Sequence, residues 1–143
     1  MKLQDDRNPF EVTDKIENAY EAFSETHSPD VLDNLSYEEF VTLYFYTDRI
    51  EDDDTLYELH IQEEKYLLYE SKEQFIRERS DRTSEERLSS SLEEDLLAMY
   101  KVNLKEDTEE VGVRLWLRDE KRPLTFRIGF ENGVKKAHWL PLQ

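Results

Sequence analysis

Leu124-Thr125-Phe126-Arg127-Ile128-Gly129-Phe130-Glu131-Asn132-Gly133-Val134-Lys135-Lys136-Ala137-His138-Trp139 alternates apolar and polar side chains up to an Asn-Gly pair and resumes the alternation beyond it. A period of two sends successive side chains to opposite faces of a strand. Asn132-Gly133 tolerates the positive φ angles of a type I′ turn, so the stretch reads as a two-residue hairpin. Counting out from the turn sets Ile128 opposite Ala137 and Phe126 opposite Trp139, which keeps the apolar faces together, with Lys135 opposite Phe130 the one mismatch. The same period runs through Val111, Val113, Leu115 and Leu117, and before them through Leu96, Ala98, Tyr100, Val102 and Leu104. Residues from about 96 to 141 therefore read as a four-stranded antiparallel meander. In its first strand Leu97 and Met99 add apolar groups on the second face. The count gathers Arg114, Trp116, Arg118, Arg127, Lys136 and His138 on the face opposite the apolar one, which is basic with a tryptophan in its middle.

Upstream, from about residue 8 to 95, the period lengthens to that of a helix. Asn8 and Pro9 signal a helix start, followed by Val12, Ile16, Ala19, Tyr20 and Phe23 on one face and an end near Thr26. Ser28-Pro29 opens a short turn through Leu32 and Leu35. Ser36 with Glu39 forms a capping box ahead of Phe40, Leu43, Tyr44 and Tyr46, on a helix so apolar that it should be buried all round. Tyr57, Leu59 and Ile61 alternate like a strand, and Tyr66 to Tyr69 reads as a second one. Ser71 with Gln74 is another capping box, opening a helix with Phe75 and Ile76 that runs on to Arg77 and Arg79, and Thr83 with Glu86 opens one more. Ser89-Ser90-Ser91 reads as a linker. Helices first and meander last predict an α+β domain spanning residues 1–143, with the helices packed on the sheet's apolar face.

Charge divides the chain along the same line. Residues 1–110 hold 32 acids and 12 bases, a net of −20, whereas residues 111–143 hold 3 acids and 7 bases, a net of +4. The overall formal charge of −16 opposes phosphate-backbone binding, which draws on clustered Lys and Arg, so no direct nucleic-acid binding is expected and a basic protein partner fits better. With no cysteine there is neither a disulfide framework nor a thiolate nucleophile, and the opening residues lack the apolar run of a signal peptide, which suggests a cytoplasmic protein without a membrane span.

Motifs for chemistry are scarce. Glu51-Asp52-Asp53-Asp54 lacks the alternating ligands, glycine and distal glutamate of a calcium loop and reads as a solvated acidic loop. His27, His60 and His138 are too far apart for a local zinc motif. Three glycines leave no phosphate-cradling loop, and no Gly-x-Ser-x-Gly elbow is present. No catalytic residue, metal ligand or cofactor is implied. Most of the eight tyrosines fall at core spacing, although several lining one cavity would make a pocket.

In the order of its elements the chain resembles the cone-shaped domains of the NTF2-like superfamily, in which a curved sheet wraps an N-terminal helix. The resemblance covers most of the chain through element order, without a residue motif, and carries over no functional residue. It implies a pocket between sheet and helices, used in that superfamily by enzymes, ligand carriers and dimerisation modules alike.

Two functions compete on these residues. One is a non-enzymatic interaction protein of inhibitor, immunity or adaptor type, docking a basic partner through acids such as Glu51 to Asp54 or Glu93, Glu94 and Asp95. The other is a small-molecule-binding or enzymatic pocket domain that uses tyrosines such as Tyr100 or the ring of Trp139. The charge favours the first. The basic face around Trp116 suits an interface, including one between two copies of the chain. Adaptation to high salt would also produce an acidic surface.

Overall fold

The computed structural model describes residues 11–62, 71–80, 95–103, 111–118, 120–131 and 133–142. Five helices, α1 (Asp14–Thr26), α2 (Asp30–Asp33), α3 (Tyr37–Arg49), α4 (Asp53–Glu58) and α5 (Lys72–Ser80), precede four strands, β1 (Leu96–Asn103), β2 (Val111–Leu117), β3 (Leu124–Glu131) and β4 (Val134–Leu142). The strands form one antiparallel sheet in the order β1-β2-β3-β4, so the protein is α+β with a C-terminal meander.

The core follows from α3. Ser36 caps it in both directions, accepting from the Glu39 amide at 3.0 Å while the Glu39 carboxylate accepts from the Ser36 amide at 2.8 Å. Six of its first nine residues, Phe40 to Phe45, are buried, as an apolar helix between two layers must be. It packs on β1 and β2 on one side and on α1 and α4 on the other. Tyr44, Phe45 and Phe40 gather round the buried ring of Phe126 in edge-to-face contacts with centroids 4.9, 5.7 and 6.5 Å away. Such pairs add about 0.5–1.5 kcal/mol each beyond the area they bury. Ile16 and Phe23 of α1 and Leu32 of α2 close the layer.

Several expectations need correction. Thr13 caps α1, its hydroxyl facing the Ile16 amide, and residues 11–13 are not helical, so the helix begins at Asp14. Asn8 and Pro9, Tyr66 to Tyr69, Thr83 with Glu86, Ser89 to Ser91, Glu93, Glu94 and Leu104 lie outside the described residues. Tyr57 belongs to α4 and not to a strand, because Asp52 caps a helical turn there. Beyond α4 the chain makes an isolated parallel bridge, His60 with Ala137 of β4. The Ala137 amide donates to Leu59 O at 2.8 Å and the Ile61 amide donates to Ala137 O at 3.0 Å.

Two bulges change which way side chains point. In β1 the register shifts between Leu96 and Ala98. One extra residue reverses the alternation beyond it. Met99 therefore faces Leu115 and the core, whereas Tyr100, expected inside, pairs with Arg114 on the outer face and is 43% exposed. In β4 the hairpin pairs Ile128 with Ala137 and Phe130 with Lys135 as counted, with Gly133 at φ +81° in the turn. A shift then sets Phe126 opposite Leu142 and not Trp139. Pro141, which has no N–H to donate to a ladder, lies in that irregular stretch.

Candidate interaction surfaces

The acids at 51–54 are built into the fold and do not form a solvated loop. Glu51 turns the chain from α3 into α4 in a left-handed conformation (φ 62°) and is exposed. Asp52 is the cap of α4: its carboxylate accepts from the Thr55 amide at 3.2 Å, from Thr55 Oγ1 at 2.8 Å and from the Tyr20 hydroxyl of α1. Burial works against its charge, but the hydrogen bonds from Tyr20 and Thr55 outweigh that and hold the carboxyl below its usual range. Burial and the same bond push the Tyr20 phenol up. Asp53 is buried and receives Arg79 Nε of α5 at 3.2 Å, while the other arm of that guanidinium reaches Asp48 of α3. Asp54 is exposed but paired with Lys72 Nζ at 2.5 Å, and Lys72 also bonds Glu58 at 2.9 Å. Partners 18 to 32 residues away decide this, which is why spacing within the acidic run does not show it.

His60 sits in the interior. Its Nδ1 lies 2.9 Å from Leu56 O, an acceptor only, so Nδ1 carries the proton and Nε2 accepts from the Tyr44 hydroxyl at 2.8 Å. Burial drives its pKa down to about 3, so the ring is neutral. His27 ends α1 with a left-handed backbone (φ 54°), and its ring Nε2 stands 4.0 Å from Asp54. Among the described residues no group of three His, Asp or Glu side chains is arranged to hold a metal ion.

The outer sheet face is split. On the β4 side, residues 59–61 run along the sheet edge beside Ala137, and the Ile61 side chain reaches Gly129. Lys136, expected on an open basic surface, is buried: its Nζ donates to Glu58 O at 2.8 Å and lies 3.8 Å from the Glu131 carboxylate. Burial lowers its pKa. His138 is half-buried beside Gly129, where a Cβ would come within 2.8 Å of both His138 Nε2 and Ile61 Cδ1 and would push those side chains aside. On the β1–β2 side Tyr100 and Arg118 are exposed and Arg114, Trp116 and Arg127 are half-buried. Trp116 Nε1 donates to the Tyr100 hydroxyl at 2.9 Å. Arg114 and Arg118 flank Trp116 on the same side of β2, and Arg127 stands opposite Gly112 on β3. Of the six residues expected on one basic face, β2, its exit and β3 supply a group of four, and Lys136 and His138 lie on the β4 side.

A second surface was not singled out from the sequence. Glu17, Glu21 and Glu25 of α1 are exposed and spaced at i, i+4 and i+8, with Asp14 and Glu11 continuing the line. None of these carboxylates forms an ion pair among the described residues; Lys15, the one base of α1, turns to Glu39 of α3 at 2.9 Å. The four-residue spacing was the available signal, masked by acids all along the chain. No helix among the described residues is long and apolar enough to cross a membrane. No family model, curated protein or solved structure matches the chain.

Proposed function

We propose that the chain is a non-enzymatic cytoplasmic interaction protein that docks a basic partner on the exposed face of α1. The carboxylate line on that helix carries this reading. Like charges at i, i+4 destabilise a helix by about 0.2–0.5 kcal/mol per pair. An acid in the last turn, where α1 carries no base, adds repulsion from the helix dipole. A helix selected for stability alone would alternate Glu with Lys. Asp48, Asp52 and Asp53 are bonded within the fold and Asp54 is paired with Lys72, whereas the α1 acids have no ion pair among the described residues and can steer a cationic surface. A pocket reading draws no such support, because Tyr44, Tyr57 and His60 are buried core residues.

A pull-down from native extract at low and at high salt, with wild-type protein and with Glu17→Lys/Glu21→Lys/Glu25→Lys, tests the proposal. A basic protein retained at low salt by wild type and lost by the variant supports it. The same proteins captured by both would remove α1 as the docking face.

A further inference from the structure

We propose that the outer face of β1 and β2 binds an extended acidic peptide segment in which two carboxylates bracket an apolar residue. Arg114, Trp116 and Arg118 alternate along β2 and its exit, so their side chains stand on the same face about 6.8 Å apart. A peptide in strand conformation repeats its side chains at the same interval. Its residues at i and i+4 meet the two guanidiniums while residue i+2 meets the tryptophan. Neither arginine pairs with a carboxylate among the described residues, and the fork of each guanidinium suits charge-assisted bonds to a carboxylate. The platform between them is preorganised, because the 2.9 Å bond from Trp116 to Tyr100 fixes both rings. Leu97 and Tyr100, 50% and 43% exposed, are two of the three exposed large hydrophobics among the described residues. The register of β1 and β2 puts Ala98 beside Trp116 and Tyr100 beside Arg114, with no acid among these outward positions in a chain of 35 acids.

Charge selects the occupant. A nucleic-acid strand would extend its phosphates past a few arginines into the field of a molecule with formal charge −16. A second copy brings the same charge, and its α1 line offers Glu21 where the ring platform takes an apolar group. A short acidic peptide meets the arginines and the rings together, the combination found at binding hot spots.

The probe is a fluorescein-labelled dodecapeptide with the core Glu-Ser-Leu-Ser-Glu, followed by anisotropy on the full chain at about 50 mM and about 500 mM salt. Saturable binding at low salt, weakened about tenfold or more by Arg114→Gln, by Arg118→Gln and by Tyr100→Phe, is expected. The urea midpoint of each variant should stay at the wild-type value, which separates lost contacts from lost folding. The inference is overturned by equal binding of a Gln-Ser-Leu-Ser-Gln peptide, by unchanged affinity in both arginine variants, or by stronger binding of decathymidylate. Sedimentation showing a dimer that the peptide does not dissociate would assign the face to a second copy and overturn it as well.

Discussion

At the residue scale the buried polar groups carry the sharpest consequences. Tyr44 and His60 satisfy one another between α3 and the β4 edge, His60 almost fully buried and Tyr44 nearly so. Tyr44→Phe leaves His60 Nε2 without that donor, and the loss should be about 1–3 kcal/mol in urea unfolding, the cost of stranding a buried polar atom. An unchanged midpoint would show that the pair contributes nothing net. The pH dependence follows from the same ring. With a folded pKa of about 3 against an ordinary 6.5, folded His60 refuses a proton that the unfolded chain accepts. Its contribution to stability is therefore complete above about pH 6.5 and is lost as the pH falls toward 3. The urea midpoint of wild type should drop between about pH 6.5 and pH 5, and His60→Gln should flatten that part of the curve. Equal slopes would mean that other groups carry the effect. None of this could be read from the sequence, where His60 looked like a residue in an alternating strand.

At the element scale, caps were legible and bulges were not. A cap is a local statement, so Ser36 with Glu39 announced the start of α3 directly, and Ser71 took the Gln74 amide at 3.1 Å as its spacing suggested. Asp52 also caps, but it sat unnoticed within four consecutive acids. Asp52→Ala should destabilise the protein by about 1–2 kcal/mol, the upper range for a lost cap, because the Tyr20 hydroxyl loses its acceptor too; Asp52→Asn should recover part of it. Thermal melts of the two variants check this, and coincident curves for both would show that the carboxylate charge alone matters. Arg79 ties α3, α4 and α5 together by meeting Asp48 and Asp53, both nearly buried. Removing one member of such a cluster leaves charge uncompensated, so Arg79→Met should cost about 3–5 kcal/mol in urea unfolding. A variant as stable as wild type would show that other partners neutralise the two acids. The bulge in β1 depends on which residue β2 can pair with, and the apolar Leu97 and Met99 on the strand's second face were its one local sign.

At the scale of the whole molecule the charges are layered. Acidic α1 lies on α3, α3 lies on the sheet, and the arginines stand on the sheet's far side. This arrangement predicts a conflict between stability and binding. Glu21→Lys turns two repulsive pairs into attractive ones with Glu17 and Glu25, and should raise stability by about 0.5–1 kcal/mol at low salt while weakening capture of the basic partner. Calorimetry at low and high salt together with the pull-down tests both halves. A variant that is more stable and still binds would detach the acidic line from function.

Sequence alone determined the α+β order, the meander, the Asn-Gly hairpin and the buried character of α3, because periodicity, turn chemistry and caps act over a few neighbouring residues. It also separated acidic helices from a basic sheet. Only the tertiary structure decided that Asp48, Asp52 and Asp53 are consumed internally, that Lys136 is covered, and that Tyr100 faces outward beside Trp116. Each of those outcomes depends on a partner brought from 16 to 78 residues away, and pairing across such distances is set by how the layers pack rather than by any local pattern.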